Sequence, residues 1–305
     1  MPSTFPRGRF VWNDLLTTDP AAAAGFYAKV VGWKVQPYEH DPAYRLWTMG
    51  PSPMGGLMRL PEEARRMGEP SRWMPHIAVP DVDQTVQRAR GMGARVHAPP
   101  RDIAPGRFAV LGDPQGAAFS VFTPAPTESE GTDEPGIGGF SWHELAAADW
   151  KAAWEFYRTL FGWEHTSSFE MGPGDTYWMF RRAGGERPIG GMYNRPAGMS
   201  APPHWLCYAR VASADAAALA VTRSGGKVVN GPMDVPGGDR VAMCVDPQGA
   251  AFAVHAVAVR AAAATAPRKR TVAKKRRRPA ARVRSKRQAK PKRTKRPRAR
   301  RRRTR

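Results

Sequence analysis

Apolar positions along the chain fall into short runs that alternate with helical stretches, and the order of these elements repeats. Val11 to Thr17 reads as a strand. Asp19-Pro20 has the chemistry of a helix start, an acidic N-cap followed by proline at the first helical position, and Ala21 to Val31 is helical up to a stop at Gly32. Short strand candidates follow at 33–38, 44–49 and 56–60. The order restarts at His76, with a strand to Val79, an N-cap at Asp81 or Asp83, a helix to Arg90, a glycine-rich stop at 91–93, and strands near Arg95, Phe108 and Ala118. The first 124 residues thus predict two strand-helix-strand-strand-strand modules.

The whole pattern then occurs a second time. Phe10 to Trp33 recurs as Phe140 to Trp163 at an offset of 130: Asp19 matches Asp149, Phe26-Tyr27 matches Phe156-Tyr157, and Gly32-Trp33 matches Gly162-Trp163. Met54-Gly55-Gly56 answers Ile189-Gly190-Gly191, Trp73 answers Trp205, and Asp-Pro-Gln-Gly-Ala-Ala-Phe begins at both Asp113 and Asp246. Self-similarity at a fixed offset is the mark of tandem homologous domains. We place them at 8–124 and 139–258, joined by a Pro-, Gly- and Glu-rich linker at 125–138 and followed by a Lys/Arg-rich tail at 259–305. The expected class is α+β, each domain being two paired βαβββ modules whose sheets curl into a half-open barrel with a concave inner face.

These features resemble the vicinal oxygen chelate superfamily, which includes glyoxalase I, extradiol dioxygenases and the fosfomycin and bleomycin resistance proteins. The resemblance rests on the opening strand before Asp19 or Asp149, the helix end Phe-Tyr-x(4)-Gly-Trp, and the closing Asp-Pro-Gln-Gly, and it spans about residues 8 to 257. It implies paired βαβββ modules and, in the enzymes, a divalent metal held in each cavity by ligands on the first strand of each module and by a Glu on the last. In this chain the first-strand slots hold Trp12, His76, Trp142 and Tyr208, and the Glu slots hold Ser120 and Ala253. A divalent ion needs three or four N or O ligands, so the family metal site is expected to be missing.

Other residues could replace those ligands. Asp14 and Glu144 stand two positions after Trp12 and Trp142, and strand side chains repeat by two, so they share the tryptophans' side of the sheet. If that side is the cavity, His143 and Asn13 point away from it; a register shifted by one would bring His143 in instead. The candidate pocket is therefore Trp12, Asp14, His76, Trp142, Glu144 and Tyr208, with Glu144 and Asp14 as candidate proton carriers and His76, Glu144, His143 and His255 as candidate metal ligands. His204 lies nearby. Trp47, Trp73, Trp178 and Trp205 could line a pocket or fill the core. Pro53-Met54-Gly55-Gly56 and its counterpart lack phosphate-loop spacing and read as a bend entering a strand, where glycine permits close approach.

Charge separates the tail from everything before it. From Arg268 to Arg305 there are 23 Lys or Arg and no acidic residue, which leaves 25 basic against 26 acidic residues in the remainder, although the whole chain carries +22. With no aromatic residue and no apolar periodicity, such a segment is expected to be disordered in isolation. Runs such as Lys274, Lys275, Arg276, Arg277 and Arg278, and Arg300, Arg301, Arg302 and Arg303, suit phosphate backbones rather than base edges, so the expected partner is DNA or RNA bound without sequence preference. Two cysteines, Cys207 and Cys244, argue against a disulfide framework, and no apolar run reaches the length of a membrane span. The expectation is a cytoplasmic protein, nucleoid-associated through its tail, monomeric or homodimeric and without a membrane partner. It would bind a small molecule without a cofactor; a metal-dependent lyase or dioxygenase of the glyoxalase I type is the alternative, and a structural adaptor for a DNA-compacting tail is a third reading.

Overall fold

The computed structural model describes residues 7–50, 53–125 and 135–258. The first half runs β1 (Phe10–Thr17), α1 (Pro20–Val30), β2 (Lys34–Tyr38), β3 (Asp41–Thr48), β4 (Pro53–Arg59), a short α2 (Glu62–Arg66), β5 (Arg72–Ala78), α3 (Val82–Gly91), β6 (Arg95–Ile103), β7 (Gly106–Gly112) and β8 (Ala118–Pro124). The second half repeats it as β9 (Phe140–Ala147), α4 (Trp150–Phe161), β10 (Glu164–Gly172), β11 (Asp175–Arg181), β12 (Gly190–Asn194), β13 (His204–Arg210), α5 (Ala214–Arg223), β14 (Lys227–Asp234), β15 (Arg240–Val245) and β16 (Ala251–Ala256). Four βαβββ modules are present, as the repeat predicts. The additional helix α2 has no counterpart in the second half.

Helix starts follow from side-chain capping. Asp19 accepts hydrogen bonds from the Ala21 and Ala22 amides ahead of Pro20, and Asp149 does the same for Lys151 and Ala152. Asp81, not Asp83, caps α3, because its carboxylate receives the Gln84 amide while Asp83 turns outward to Arg107. Gly162 ends α4 with φ of 73°, a left-handed conformation that glycine adopts without a Cβ penalty.

Each half forms one eight-stranded sheet, ordered β2-β3-β4-β1-β5-β8-β7-β6 and β10-β11-β12-β9-β13-β16-β15-β14. The first strands of the two modules pair antiparallel at the centre, β1 with β5 and β9 with β13. Each therefore has one convex and one concave face.

The convex faces are buried against the other half, and the cores cross over. Leu15, Phe26, Tyr27, Trp33, Trp47, Leu57 and Trp73 of the first half share a cluster with Cys207, Val221, Phe252 and Val254 of the second. The reciprocal cluster joins Ile77, Val86, Leu111 and Phe119 to Leu145, Tyr157, Phe161, Trp163 and Trp205. The repeated motifs form this seam. Tyr27 donates to Asp246 at 3.2 Å and accepts the Trp73 indole N–H, while Tyr157 donates to Asp113 at 3.0 Å and accepts that of Trp205. Trp33 and Trp163 donate across the seam to the carbonyls of Gly138 and Gly8, both at 2.7 Å. The Phe-Tyr helix end of each half is thus hydrogen-bonded to the Asp-Pro-Gln-Gly turn of the other.

Candidate functional site

Alternation along the central strands decides what each face carries. In β1, Asn13 and Leu15 turn into the seam, so Trp12, Asp14 and Leu16 occupy the concave face; in β9, Trp142 and Glu144 do so while His143 and Leu145 turn inward. Register extends the assignment across the sheets. His76 stands opposite Trp12 and beside Ser120, and Gly56 stands beside Asp14. Tyr208 stands opposite Trp142 and beside Ala253, and Gly191 stands beside Glu144.

The two concave faces carry homologous polar clusters. In the first, the Trp12 indole N–H reaches Asp14 Oδ1 at 2.9 Å and Tyr44 Oη at 2.8 Å, Tyr44 donates to Asp14 Oδ1 at 2.6 Å, and His76 Nε2 lies 2.9 Å from Asp14 Oδ2. In the second, the Trp142 indole donates to Tyr177 Oη at 2.8 Å, and both Tyr177 and Tyr208 donate to Glu144 Oε2, at 2.8 and 3.0 Å. Both carboxyl groups are buried, with Asp14 6% and Glu144 5% exposed. Tyr44 and Tyr177 are the members that sequence reasoning missed. The signal was the glycine pair: a Cβ on Gly56 would fall on Tyr44 Oη and Asp14 Oδ1, and one on Gly191 would lie 2.3 Å from the Tyr177 ring. Gly55-Gly56 accordingly sits inside β4 rather than at a bend before it, and Gly190-Gly191 opens β12.

Electrostatically the clusters differ. Burial pushes the Asp14 carboxyl up, but the facing His76 and hydrogen bonds from His76, Tyr44 and Trp12 outweigh it, and the net shift is downward. Among the described residues no cation acts on Glu144; burial outweighs its two phenol hydrogen bonds and the net shift is upward. Arg101 adds a cation to the first face, stacked 4.6 Å over the Phe108 ring, whose centroid lies 6.4 Å from that of His76. The second face is apolar at the same level, with Leu206, Tyr208, Val241 and Ala253 packed against Trp142, Met233 and Met243.

Several candidate residues are not brought to these polar clusters. His143 does not enter the cavity: it is buried in the seam, stacked at 3.7 Å on Phe10, with Nε2 3.0 Å from Asn13 Oδ1. Burial there pushes its imidazole down to about 3, so it remains neutral. His255 is engaged at both nitrogens, by Ser141 at 2.8 Å and Asp239 at 2.9 Å, and is not brought to Glu144. His204 bonds the Pro202 carbonyl. Trp47, Trp73 and Trp205 are core residues rather than pocket walls, and Trp178 stacks on Trp150 against the second core. Lys274 to Arg278 and Arg300 to Arg303 lie outside the described residues, as does most of the linker.

The donors available to a metal can be counted directly. The first face brings together two residues of ligand type, His76 and Asp14, while Ser120 donates into its own sheet at the Ala109 carbonyl. The second brings one, Glu144, among phenols whose ionisation burial opposes. Among the described residues no three His, Cys, Asp or Glu converge on one point. This donor set does not fit an ion requiring three or four ligands.

Known proteins agree with the fold. Residues 11–122 match the glyoxalase-like domain model, and residues 139–254 match that of the Glyoxalase/Bleomycin resistance protein/Dioxygenase superfamily. The chain is 33% identical over 259 residues to "Putative glyoxylase CFP32" of Mycobacterium tuberculosis, covering 83% of this chain and 96% of the relative. It is 30% identical over 264 residues to the anthracycline biosynthesis protein DnrV of Streptomyces peucetius, covering 82% and 94%. Among solved structures, the Mn(II)-bound glyoxalase from Novosphingobium aromaticivorans superposes with a TM-score of 0.59 at 15% identity, covering 82% of each chain. The 2,3-dioxygenase LapB from Pseudomonas sp. KL28 gives 0.59 at 11%, covering 83% of this chain and 93% of its own. With two matching domains in tandem and full-length relatives at this identity, the chain belongs to the glyoxalase/bleomycin resistance protein/dioxygenase superfamily.

Proposed function

We propose that the protein binds small molecules on its two concave faces without the metal that serves the family's enzymes, and that its basic tail associates with nucleic acid. The observation that carries the first part is the fate of the carboxylates. Asp14 is committed to Trp12, Tyr44 and His76, and Glu144 to Tyr177 and Tyr208, which leaves each face with a hydrogen-bonded polar centre in an aromatic wall, the composition of a binding site. The names of the relatives, a glyoxylase and an anthracycline biosynthesis protein, belong to small-molecule metabolism and support the same reading. Mass-spectrometric metal analysis of the full chain, purified without a histidine tag or chelator, tests it. Less than about a tenth of an equivalent of any divalent metal is expected.

The buried Asp14–His76 pair favours one second reading, a metal-dependent lyase or dioxygenase in the first domain. Near-stoichiometric Mn, Fe, Ni or Zn that disappears in His76→Ala would establish that reading and remove the first.

The tail's 23 basic residues within 38 support the nucleic-acid association. Fluorescence anisotropy with a random-sequence duplex should show affinity falling about a hundredfold or more between 50 and 200 mM salt. A chain ending at residue 262 should lose the binding; retention would place the contact on the folded domains.

A further inference from the structure

The second concave face carries a feature that the first lacks. Phe169, Tyr177 and Tyr193, on the adjacent strands β10, β11 and β12, form a row of near-parallel rings. Neighbouring centroids lie 5.0 and 6.1 Å apart, with 22° between planes at both steps. At the position equivalent to Tyr193 the first domain has Met58, and Tyr44 meets Tyr38 edge-on at 70° instead of stacking. Beyond the row, Trp142, Met233 and Met243 extend the same apolar wall, and methionine adapts its shape to a bound ring.

Two polar atoms on this face have no hydrogen-bond partner among the described residues. Both phenols that reach Glu144 go to Oε2, so Oε1 receives no hydrogen bond from any described residue, although the side chain is more than nine-tenths buried. The Tyr193 hydroxyl likewise has none. Neither atom is sealed beneath other protein atoms. A buried carboxyl oxygen without a partner is costly unless a ligand or water completes it. Among the described residues no basic side chain is paired with Glu144, so an anionic group on the ligand would meet a carboxyl group without a cation beside it.

We propose that the concave face of the second domain binds a flat, uncharged aromatic molecule with a hydroxyl or carbonyl at its edge. Its ring lies against the Phe169–Tyr177–Tyr193 row, and its oxygen is read by Glu144 Oε1 and the Tyr193 hydroxyl. Contact with the half-exposed end members Phe169 and Tyr193, which flank the buried Tyr177, supplies affinity, and the two polar atoms supply orientation. The first face, with Asp14, His76 and Arg101, is built for a charged or proton-exchanging ligand, so the two domains do not share one specificity. The proposal rests on the reading of the chain as a small-molecule binder and names the ligand class of one face.

Isothermal titration calorimetry of the full chain with 2-naphthol tests it, using trans-2-decalol as the saturated analogue and 2-naphthoate as the anionic one. Saturable binding of 2-naphthol is expected, at least about tenfold tighter than either analogue. Tyr193→Phe and Glu144→Gln should each weaken it by about fivefold or more, the loss of one hydrogen bond. Urea midpoints confirm that both variants fold, and Tyr193→Phe, a half-buried conservative change, carries the test if Glu144→Gln does not. Absence of binding at millimolar 2-naphthol, equal affinity for the decalol, or affinities within twofold of the parent in both variants overturns the proposal. The last outcome leaves the metal-free binding reading intact, whereas a stoichiometric metal ion at Glu144 removes both.

Discussion

Gly191 is the position where a single carbon atom tests the geometry of the second site. An alanine Cβ there would lie 2.3 Å from Tyr177 Cε1, 2.4 Å from Cζ and 2.5 Å from the hydroxyl, so the ring must move. That ring is held by the Trp142 indole and by Glu144, both at 2.8 Å, and is 8% exposed. Displacing it breaks one hydrogen bond to a buried carboxyl group and leaves an indole N–H without its acceptor, a combined loss of about 2–4 kcal/mol. The backbone works in the other direction: Gly191 lies in a strand without a left-handed φ, and alanine there is favoured by about 0.5–1 kcal/mol.

The expected net cost of Gly191→Ala is therefore about 1–3 kcal/mol, measured by urea unfolding of the full chain at neutral pH. Every one of the three nearest atoms belongs to Tyr177, so a double-mutant cycle isolates the contact. In a Tyr177→Ala background the same glycine substitution should be neutral or stabilising. A cost below about 0.5 kcal/mol in the parent, or an equal cost in both backgrounds, would refute the assignment of Gly191 to the phenol contact.

Two further outcomes follow from the seam. His143 is held neutral by burial, which pushes it down to about 3, whereas an unfolded histidine titrates near 6.5. As pH falls below 6.5 the unfolded chain takes up a proton that the folded chain refuses, so stability is lost. Between pH 6.5 and 5 the parent should lose roughly 1–2 kcal/mol more than His143→Gln, and parallel urea-derived profiles would rule this out. Tyr157→Phe removes a donor from Asp113 and an acceptor from the buried Trp205 indole, and should cost about 1–3 kcal/mol, with Tyr27→Phe comparable. An effect under 0.5 kcal/mol by urea unfolding would show that the cross-seam bonds are replaced by other partners.

The architecture was legible because its signals are local and occur twice. Asp19-Pro20 and Asp149 start helices by capping their own amides, and the period of two in β1 and β9 places Asp14 and Glu144 on the tryptophans' side without knowledge of the rest of the sheet. The tyrosines could not be found this way. Tyr44 and Tyr177 reach the carboxylates from two strands away, by way of an intervening glycine, and pairing across strands is not written in periodicity. His255 shows the converse. Its residue type suits a metal, but Ser141 and Asp239, far from it in sequence, take both ring nitrogens.

Comparing the two halves with each other separates assembly from recognition. Among the positions that recur unchanged, Tyr27 and Tyr157, Trp33 and Trp163, Trp73 and Trp205, and Asp113 and Asp246 have side chains that cross or line the seam, and Tyr27 and Tyr157 each bond an aspartate of the other half. Among the positions that have diverged, Asp14 and Glu144, Met58 and Tyr193, His76 and Tyr208, and Ser120 and Ala253 lie on the concave faces, while Asn13 and His143 have diverged inside the seam, where they bond each other. A face kept only as packing would tolerate drift in its polar centre, yet both halves retain a buried carboxyl group bound by a tyrosine, a nearby tryptophan indole and a glycine that makes room for the phenol. What has changed is the group beside that centre: the His76 imidazole against Asp14 in one half, the Tyr208 phenol against Glu144 in the other. A shared frame with opposite electrostatics is the arrangement expected of two binding faces turned to chemically different ligands.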